Sequence, residues 1–382
     1  MFGPSLGDVD RVDTCQQGFN PPWVQTLSLL FKLKPIQYSP SKDFTSFNHF
    51  MDIFDRLEEF LEENPELNPR THRSTSSTKS GDQNADKKPL IVILGPTASG
   101  KTALSIKIAK AFNGEIISTD SRQIYKYMDI GTDKIPVQKQ EGVTHHLLDI
   151  IEPDQEFTLA DFKRAALKTI EEIYRRRKLP ILVGGTGLYL NAILQNYQIP
   201  QVPPQQDLRQ KLEDYSKEHG SEALHQLLAE KDSQAADSIH PNNVRYVIRA
   251  LEINMVANAP KMDQKGESIF HAFIIGINWP REFLYERINR RVDDQIARGL
   301  LNEVKTLLMK GYDEKLPAMS SLGYLELIQY TKGECTLEQA IENIKKNTRN
   351  YAKRQLTWFR HYQNVHWVEG EELEKLLSQQ RV

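Results

Sequence analysis

The sequence has little of three features that usually announce a class of protein. Cys15 and Cys335 are the only cysteines among its 382 residues, which excludes a disulfide framework and a cysteine-based zinc module. So few cysteines are typical of a reducing compartment, and we expect a cytoplasmic protein. No run of 18 apolar residues occurs, so no membrane-spanning helix is predicted. The formal net charge is only −2, so any basic surface must be local.

The most informative stretch that is present reads LIVILGPTASGKT, from Leu90 to Thr102. Its first five residues are apolar and predict a buried strand. The next eight match G-x-x-x-x-G-K-[ST] at every fixed position, and apolar residues at helical spacing follow from Ala103 to Phe112. Strand, glycine loop and helix in this order predict a phosphate-binding loop. The loop consists of Gly95, Pro96, Thr97, Ala98, Ser99, Gly100, Lys101 and Thr102.

Each part of this loop has a physical role in holding an anion. The glycines let successive backbone N–H groups turn inward, and the following helix adds the positive end of its dipole. Lys101 supplies a mobile cation, and the Thr102 hydroxyl can reach a Mg²⁺ ion. The loop alone does not say whether the bound phosphates are hydrolysed, transferred or released.

Further strand-like segments alternate with helical ones after the loop. Glu115–Thr119, His145–Ile150 and Pro180–Val183 are predicted strands, and Phe157–Arg177 is a predicted helix. Alternation of this kind predicts an α/β fold, here a P-loop NTPase-like parallel sheet flanked by helices. In such sheets ligands bind beyond the carboxyl ends of the strands. Two polar segments follow predicted strands and are therefore candidates for the site: Asp120-Ser121-Arg122-Gln123 and Gly184-Gly185-Thr186.

The composition divides the chain into five parts, and two of these parts together form the α/β core. We expect an extension without catalytic work, largely disordered apart from a possible helix near 47–61, over residues 1–88. From Arg281 the pattern is helical nearly to the end of the chain. The other parts are the first half of the α/β core at 89–197, a helical insertion at 198–267, core completion with basic C-terminal helices at 268–368, and a tail at 369–382.

One predicted helix near the C-terminus carries charge of a single sign. Residues 343–366 contain six lysines or arginines and no acidic residue. Such a stripe suits a phosphate backbone with stacked bases, although a solvated face with its aromatics in the core gives the same pattern. The helical period places four cations on one face, Lys346, Arg349, Lys353 and Arg360, with Tyr351, Trp358 and Phe359 interleaved.

Several side chains are candidates for chemistry. Asp120 directly follows a predicted strand, so it is a candidate base, a magnesium ligand in a kinase, or a helix N-cap. His145 and His146 are adjacent and would point to opposite faces of a strand, which favours structural roles. The Thr186 hydroxyl could face a substrate. The remaining candidates either pair internally or contact phosphate: Arg287, Arg290 and Arg291, beside Asp293 and Asp294.

Over residues 89–368 the chain resembles the bacterial tRNA dimethylallyltransferases, also called tRNA isopentenyltransferases. The phosphate-binding loop alone is generic, but its combination with DSRQIYKYMDIGT and GGTGLYL is specific to this family and its close relatives. The segments that carry the resemblance, in chain order, are GPTASGKT, STDSRQIYKYMDIGT, THHLLDI, LVGGTGLYLNAIL, HPNNVRYVIRALE, PREFLYERINRRVD, SSLGYLEL and YAKRQLTWFR.

The resemblance implies transfer of a dimethylallyl group from dimethylallyl diphosphate to N6 of the adenosine just 3′ of the anticodon in tRNA. Lys101 and Mg²⁺ would then stabilise the leaving diphosphate, and Thr102 would contact it or its metal. Asp120 would hold the adenine amine and accept its proton. By the same resemblance Thr186 matches a substrate-channel threonine, and Arg291 a diphosphate contact.

The resemblance also implies a surface for the anticodon stem-loop, with the insertion clamping it opposite the C-terminal helices. Tyr246 stands where the family often has a second arginine. No membrane partner is implied, and we expect a monomer. The implied tRNA-binding residues are Asp120, Ser121, Arg122, Gln123, Thr186, Arg209, Arg245, Tyr246, Val247, Ile248 and Arg249.

Three alternatives use the same loop. An adenylate isopentenyltransferase would prenylate a free nucleotide, a nucleotide kinase would consume ATP, and a non-catalytic RNA-binding protein would keep a degenerate loop. The intact loop and Asp120 argue against decay. The segment Arg245–Arg249 and the basic C-terminal helix favour tRNA over a free nucleotide.

Overall fold

The computed structural model describes residues 44–64, 87–200, 202–257 and 265–378. The strands are β1 Lys88–Leu94, β2 Gly114–Ser118, β3 His145–His146, β4 Leu179–Gly184, β5 Phe270–Asn278 and β6 Val365–Glu369. The helices are α1 Phe44–Glu62, α2 Lys101–Ala111, α3 Leu159–Arg175, α4 Gly187–Leu194, α5 Gln206–His219, α6 Ser221–Lys231, α7 Ser233–Ser238, α8 Val244–Ala257, α9 Arg281–Ala297, α10 Leu300–Met309, α11 Tyr324–Thr331, α12 Leu337–Phe359 and α13 Gly370–Ser378. A short 3-10 helix spans Val137–Lys139.

The strands form one sheet in the order β3-β2-β4-β1-β5-β6, and every neighbouring pair is parallel. Ile91 of the central strand pairs with Ile181 on one side and with Phe273 on the other. Side chains from Leu90 to Leu94 are fully buried, as expected for a parallel strand that is covered on both faces. The predicted parallel α/β sheet flanked by helices is confirmed.

Two apolar layers cover the two faces of the sheet. The first packs α1, α2 and α9 against the sheet, and the second packs α3 and α4 against the other face. A third cluster joins helices α9 to α12 with Ile124, Tyr125 and Met128, which follow β2. This third cluster matters for function because it attaches the basic helix α12 to the carboxyl edge of the sheet.

The insertion has its own small core. Helices α5 to α8 pack around apolar side chains that include Leu224, Leu228 and Leu251, each fully buried. Asp232 caps α7 by accepting a hydrogen bond from the backbone N–H of Ala235 at 3.0 Å. The insertion predicted at 198–267 is therefore helical, whereas the limits of the five predicted parts stay predictions.

The C-terminal region differs from the sequence prediction of helices followed by a tail. The chain turns at Asn364, whose φ is 56°, and then forms β6, which pairs with β5 from Ile274↔Val365 to Asn278↔Glu369. The predicted tail is helix α13, and its Leu373 is 1% exposed. The partner of β6 is β5, a strand far away in sequence, so local patterning did not reveal the pairing.

The third strand is shorter than predicted. It ends after His146, because Leu147 and Asp149 adopt φ values of 61° and 54° that a strand cannot contain. The prediction of a strand up to Ile150 is therefore wrong, and these residues form the loop that returns to the neighbourhood of Ile124.

Helix α1 lies in the N-terminal extension and packs on the core. Ile53, Leu57 and Leu61 are at most 3% exposed. The ring of Phe54 stacks on Phe112 with centroids 5.9 Å apart, and the ring of Phe60 contacts that of Phe273 at 5.3 Å. The possible helix near 47–61 therefore corresponds to α1, which is longer than expected and packs on the core. Residues 1–43 and 65–86, where we expect a largely disordered extension, lie outside the described residues.

Within the described ranges, no helix combines the length and the apolar character that crossing a bilayer requires.

Candidate active site

The phosphate-binding loop connects β1 to α2 at the carboxyl edge of the sheet. Gly100 precedes α2 with φ 98°, a left-handed conformation that favours glycine. A Cβ atom on Gly95 would lie 2.9 Å from Ser99 Oγ and 3.2 Å from the Ile277 carbonyl oxygen, so the loop has no room for a side chain there. These glycines allow the loop to curl tightly around the start of the helix, where an anion meets the positive dipole end.

The Lys101 ammonium lies over this loop. Its Nζ donates to the carbonyl oxygens of Gly95 and Pro96, at 2.9 and 2.7 Å. Burial, and then the positive charge of Arg291, lower the pKa of Lys101 to about 7, while the Asp120 carboxylate raises it. In the part of the chain that the structure describes, Lys101 forms no ion pair. A bound phosphate would therefore supply the negative charge that this ammonium lacks.

Helix α9 brings two of its three candidate arginines to the loop. Arg291 Nη1 donates to Thr97 Oγ1 at 3.0 Å and lies 3.6 Å from Asp133 Oδ2. Arg287 Nε donates to the Ala98 carbonyl oxygen at 2.9 Å. Arg290 instead pairs with Glu286 on the exposed side of the helix. The sequence did not distinguish internal pairing from phosphate contact for these arginines. In the structure Arg291 contacts a side chain of the loop, whereas Arg287 contacts its backbone.

Asp120 lies just beyond β2, close to the loop. Its Oδ1 accepts a hydrogen bond from the backbone N–H of Arg122 at 2.8 Å, and among the described residues its Oδ2 has no hydrogen-bond partner. Its negative charge raises the pKa values of both Lys101 and Tyr351. Asp120 thus stands between the phosphate-binding loop and helix α12, with one carboxylate oxygen available to a substrate.

Thr186 and Tyr351 form the other side of this space. The Thr186 Oγ1 accepts a hydrogen bond from the backbone N–H of Ser121 at 3.2 Å, next to Asp120. Burial, and then the Asp120 charge, raise the pKa of Tyr351 to about 12, although its hydrogen bond with Thr186 acts in the opposite direction. Tyr351 is therefore a neutral phenol at pH 7. The sequence placed it among the aromatics of the basic helix and not in the site.

Gln355 is a second site residue that the sequence analysis missed. Its Oε1 accepts a hydrogen bond from the backbone N–H of Thr97, and its Nε2 donates to the Gly185 carbonyl oxygen, both at 2.9 Å. The residue is 5% exposed. It lies four positions after Tyr351, so the helical period puts both on one face of α12, and this was the available signal.

The segment after Asp120 is held in place by its own contacts. Arg122 reaches the Pro317 carbonyl oxygen and Ser320 Oγ with its guanidinium. Gln123 accepts from Ser118 Oγ at 3.0 Å and donates to the Thr132 carbonyl oxygen at 3.2 Å. Arg122 thus lies at the rim of the site, whereas both ends of the Gln123 amide are used inside the protein.

Two arginines of the insertion share one buried carboxylate. Arg209 binds Glu252 through two hydrogen bonds of 2.8 Å, and Arg249 donates to the same carboxylate. Glu252 is fully buried, and hydrogen bonds from Arg209, the Gln205 N–H and Arg249 lower its pKa despite the opposing effect of burial. The predicted RNA contacts by these two arginines therefore compete with an internal ion-pair network.

The neighbouring residues of α8 divide into a buried and an exposed face. Val247 and Ile248 are 0% and 4% exposed and belong to the core of the insertion, so their side chains do not lie on its surface, and their part in tRNA binding stays a prediction. Arg245 is exposed, and Tyr246 is 52% exposed. Because a helix turns by about 100° per residue, the predicted five-residue segment could not place all its side chains on one surface.

The basic face of α12 is partly used by internal contacts. Arg349 donates to Asn289 Oδ1 on α9, and Lys345 pairs with Asp293 at 2.8 Å. Phe359 is fully buried, while Trp358 is 38% exposed beside Gly187. Four cations of the helix or its C-terminal end are exposed: Lys346, Lys353, Arg354 and Arg360. Of the predicted basic face, Arg349 is therefore used in an internal contact, whereas Arg354, which was not predicted to lie on that face, is exposed.

The adjacent histidines make contacts typical of structural residues. His146 Nε2 lies 2.6 Å from Glu115 Oε2, and His145 Nδ1 lies 2.9 Å from the Val143 carbonyl oxygen. Across the described ranges no three His, Cys, Asp or Glu side chains are grouped to hold a metal ion.

Comparison with known proteins gives one consistent group of matches. A family model described as IPP transferase matches residues 123–362. Curated tRNA dimethylallyltransferases from Acetivibrio thermocellus and Macrococcus caseolyticus are 50% and 49% identical to this chain, and each alignment covers 75% of this chain and 93% of the relative.

Solved structures agree with these matches. The full-length tRNA isopentenylpyrophosphate transferase from Bacillus halodurans is 42% identical, with a TM-score of 0.57, covering 77% of this chain and 99% of that one. A eukaryotic dimethylallyltransferase described as acting on tRNA is 29% identical, with a TM-score of 0.61, covering 77% of each chain. About a quarter of the present chain lies outside each of these alignments.

Proposed function

This chain belongs to the IPP transferase family, and we propose that it transfers a dimethylallyl group from dimethylallyl diphosphate to tRNA. The acceptor is N6 of the adenosine 3′-adjacent to the anticodon, and the second product is diphosphate. The observation that carries the proposal is the meeting of three groups at one edge of the sheet. These are the phosphate-binding loop, the available Asp120 oxygen and the turn that carries Thr186.

The loop side of the site would hold the diphosphate of the donor. Backbone N–H groups of the loop, the α2 dipole and the Lys101 ammonium all attract the oxygens of this group. The charge on the diphosphate grows as the bond from its oxygen to the allylic carbon breaks, so these contacts become stronger in the transition state. Arg291, bonded to Thr97, would add a second cation at the same end.

Mg²⁺ fits the same end of the site. The Thr102 hydroxyl is an oxygen ligand of the kind that Mg²⁺ prefers, and diphosphate oxygens and waters would complete the coordination of the ion. The ion would neutralise charge on the diphosphate.

Asp120 would act on the acceptor. The N6 lone pair of adenine is delocalised into the ring, so the amine gains nucleophilicity when a carboxylate accepts a hydrogen bond from it. The nitrogen then forms a bond to the allylic carbon, the diphosphate leaves with the electron pair of the broken C–O bond, and the amine proton passes to Asp120. The target adenosine must leave its stack to reach this position, as in other enzymes that modify a base.

The exposed cations around the site would bind the anticodon stem-loop. Arg245 and Tyr246 lie on the insertion, and α12 contributes exposed cations with the half-exposed Trp358 beside the site. Basic side chains with an accessible aromatic ring suit a phosphate backbone with unstacked bases. A free nucleotide has no phosphate backbone to occupy these exposed cations.

The test offers labelled dimethylallyl diphosphate with unmodified tRNA, with AMP, and with ATP plus nucleotides in parallel. We expect label in tRNA alone, at the adenosine next to the anticodon. Label in AMP would identify a free-nucleotide enzyme, and phosphate transfer from ATP a kinase. In the same assay Asp120→Asn should lower kcat by about 10²- to 10⁴-fold and keep tRNA binding, since it removes a general base. Unchanged turnover would exclude Asp120 from that role.

A further inference from the structure

One side chain joins the two loops that enclose the site. Gln355 accepts from the Thr97 N–H in the phosphate-binding loop and donates to the Gly185 carbonyl oxygen in the turn before Thr186. A donor on one side and an acceptor on the other fix which end of the amide faces which loop. Both ends are used, at distances typical of good hydrogen bonds.

The space between the loops is fitted to this amide. Gln355 is 5% exposed, and a Cβ atom on Gly185 would lie 2.1 Å from its Nε2. The absence of a side chain at Gly185 is therefore what lets α12 approach the turn. An amide buried this deeply is costly to leave without partners, so it holds both loops at a fixed separation.

The bridge stands between the donor and the acceptor halves of the reaction. On one side, the Thr97 hydroxyl accepts from Arg291, the proposed diphosphate contact. On the other side, Gly185 precedes Thr186, which is bonded to Ser121, the neighbour of Asp120. One glutamine side chain therefore links the loop proposed to hold the diphosphate to the turn beside the proposed base.

We propose that Gln355 is a positioning residue that sets the separation between the phosphate-binding loop and the acceptor side of the active site. The inference rests on the proposed function. Because Gln355 belongs to α12, whose other face carries exposed cations, it also connects the surface that would bind tRNA to both loops. Its loss would misplace the reacting groups and would not remove a charge from either substrate, so turnover should fall more than binding.

The experiment compares two substitutions of Gln355 with one control on the same helix. Gln355→Met keeps the length and volume but loses both hydrogen bonds, and Gln355→Asn keeps the amide but is one carbon too short to reach both loops. Asn347→Leu is the control. Asn347 lies eight residues earlier on α12 and donates to Glu326 Oε1 at 2.7 Å, away from both loops. Steady-state kinetics with tRNA, tRNA binding and thermal unfolding are measured for all.

We expect kcat to fall by about 10- to 100-fold in Gln355→Met and by a smaller factor in Gln355→Asn, as misplacement of about 1 Å can produce such losses. The Kd for tRNA should stay within about twofold, and the melting temperature should match that of the control. Asn347→Leu should keep kcat within about twofold of the parent.

A kcat within twofold of the parent in both Gln355 variants would overturn the inference, as would an equal loss in Asn347→Leu. If Gln355→Met fails to fold, Gln355→Asn decides by the same criteria. Failure of the unsubstituted protein to prenylate tRNA would count against the proposed function instead, which separates the two results.

Discussion

Cations at the two edges of the sheet have different partners. At the carboxyl edge, Lys101 is held by two carbonyl oxygens. At the amino edge, Glu115 at the start of β2 is 3% exposed and lies within 3.0 Å of Arg176, Lys178 and His146. The cations at the amino edge are neutralised by a carboxylate of this chain, whereas among the described residues Lys101 has only neutral carbonyl partners, so we expect it to bind an anionic ligand.

This difference separates stabilising cations from functional ones. A cation that already has a buried carboxylate partner gains little from a further anion, because that anion must compete with the existing pair. Glu252 gives Arg209 and Arg249 of the insertion such a partner, so by this criterion they resemble the amino edge. Residue type and motif alone do not distinguish the two situations, but the carboxylate partner does.

The largest expected difference between the two edges comes from replacing one lysine by methionine at each edge. Lys101→Met should lower kcat/KM by about 10²- to 10³-fold, since it removes the cation proposed to stabilise the leaving diphosphate. Lys88→Met, at the start of β1, removes an exposed pair with Glu171 and should change kcat/KM by less than about twofold. Steady-state transfer assays measure both, and similar losses in the two variants would erase the distinction.

A stability effect should appear at the amino edge only. Burial raises the pKa of Glu115, but hydrogen bonds from Arg176, His146 and Lys178 outweigh it and hold the pKa at about 2. A carboxyl group with a lowered folded-state pKa stabilises the protein above its ordinary pKa near 4.5, and this stabilisation is lost as the pH falls toward 2. Glu115→Gln should therefore lower the free energy of unfolding by about 3 kcal/mol at pH 7.

Denaturant unfolding of both proteins from pH 7 to pH 3 measures this contribution. The difference between them should shrink below about pH 4.5, because the carboxylate of the unsubstituted protein is increasingly protonated on unfolding. Transfer activity at pH 7 should stay within about twofold. A difference that is independent of pH would show that the ion-pair network at this edge contributes little.

The smallest effect concerns the insertion. Arg245→Ala should weaken tRNA binding several-fold and reduce the slope of log K against log salt by about one unit, as expected for one lost phosphate contact. Arg209→Ala should instead lower the melting temperature, because it leaves the buried Glu252 with fewer partners, and should leave the salt dependence unchanged. Reversed results would place Arg209, and not Arg245, on the RNA surface.

Local sequence signals predicted the parts of the site that are continuous in the chain. The phosphate-binding loop was visible because its strand, glycines and helix follow one another, and the parallel sheet because strands and helices alternate. Asp120 and Thr186 were found because each follows a predicted strand, and parallel strands end at one edge. Their catalytic roles are proposals that the experiments above address.

The missing parts depend on partners far away in sequence. Gln355 meets Thr97 across 258 positions and Gly185 across 170. Pairing of β6 with β5 likewise joins distant segments, and the neutralisation of Arg209 depends on Glu252, which is 43 positions away. The helical period places Gln355 on the same face of α12 as Tyr351, but which loops that face contacts is decided only when the tertiary fold brings the elements together.

Helix α1, near the start of the described chain, contacts the elements at its end. It packs against α13 and β6, and Leu373 of α13 lies against Gly100 at the back of the phosphate-binding loop. A shortened chain that began at β1 would uncover Phe112 and Phe273, which now contact the rings of α1. Such a fragment would expose an apolar patch and tend to self-associate, even though it would retain every residue proposed for catalysis.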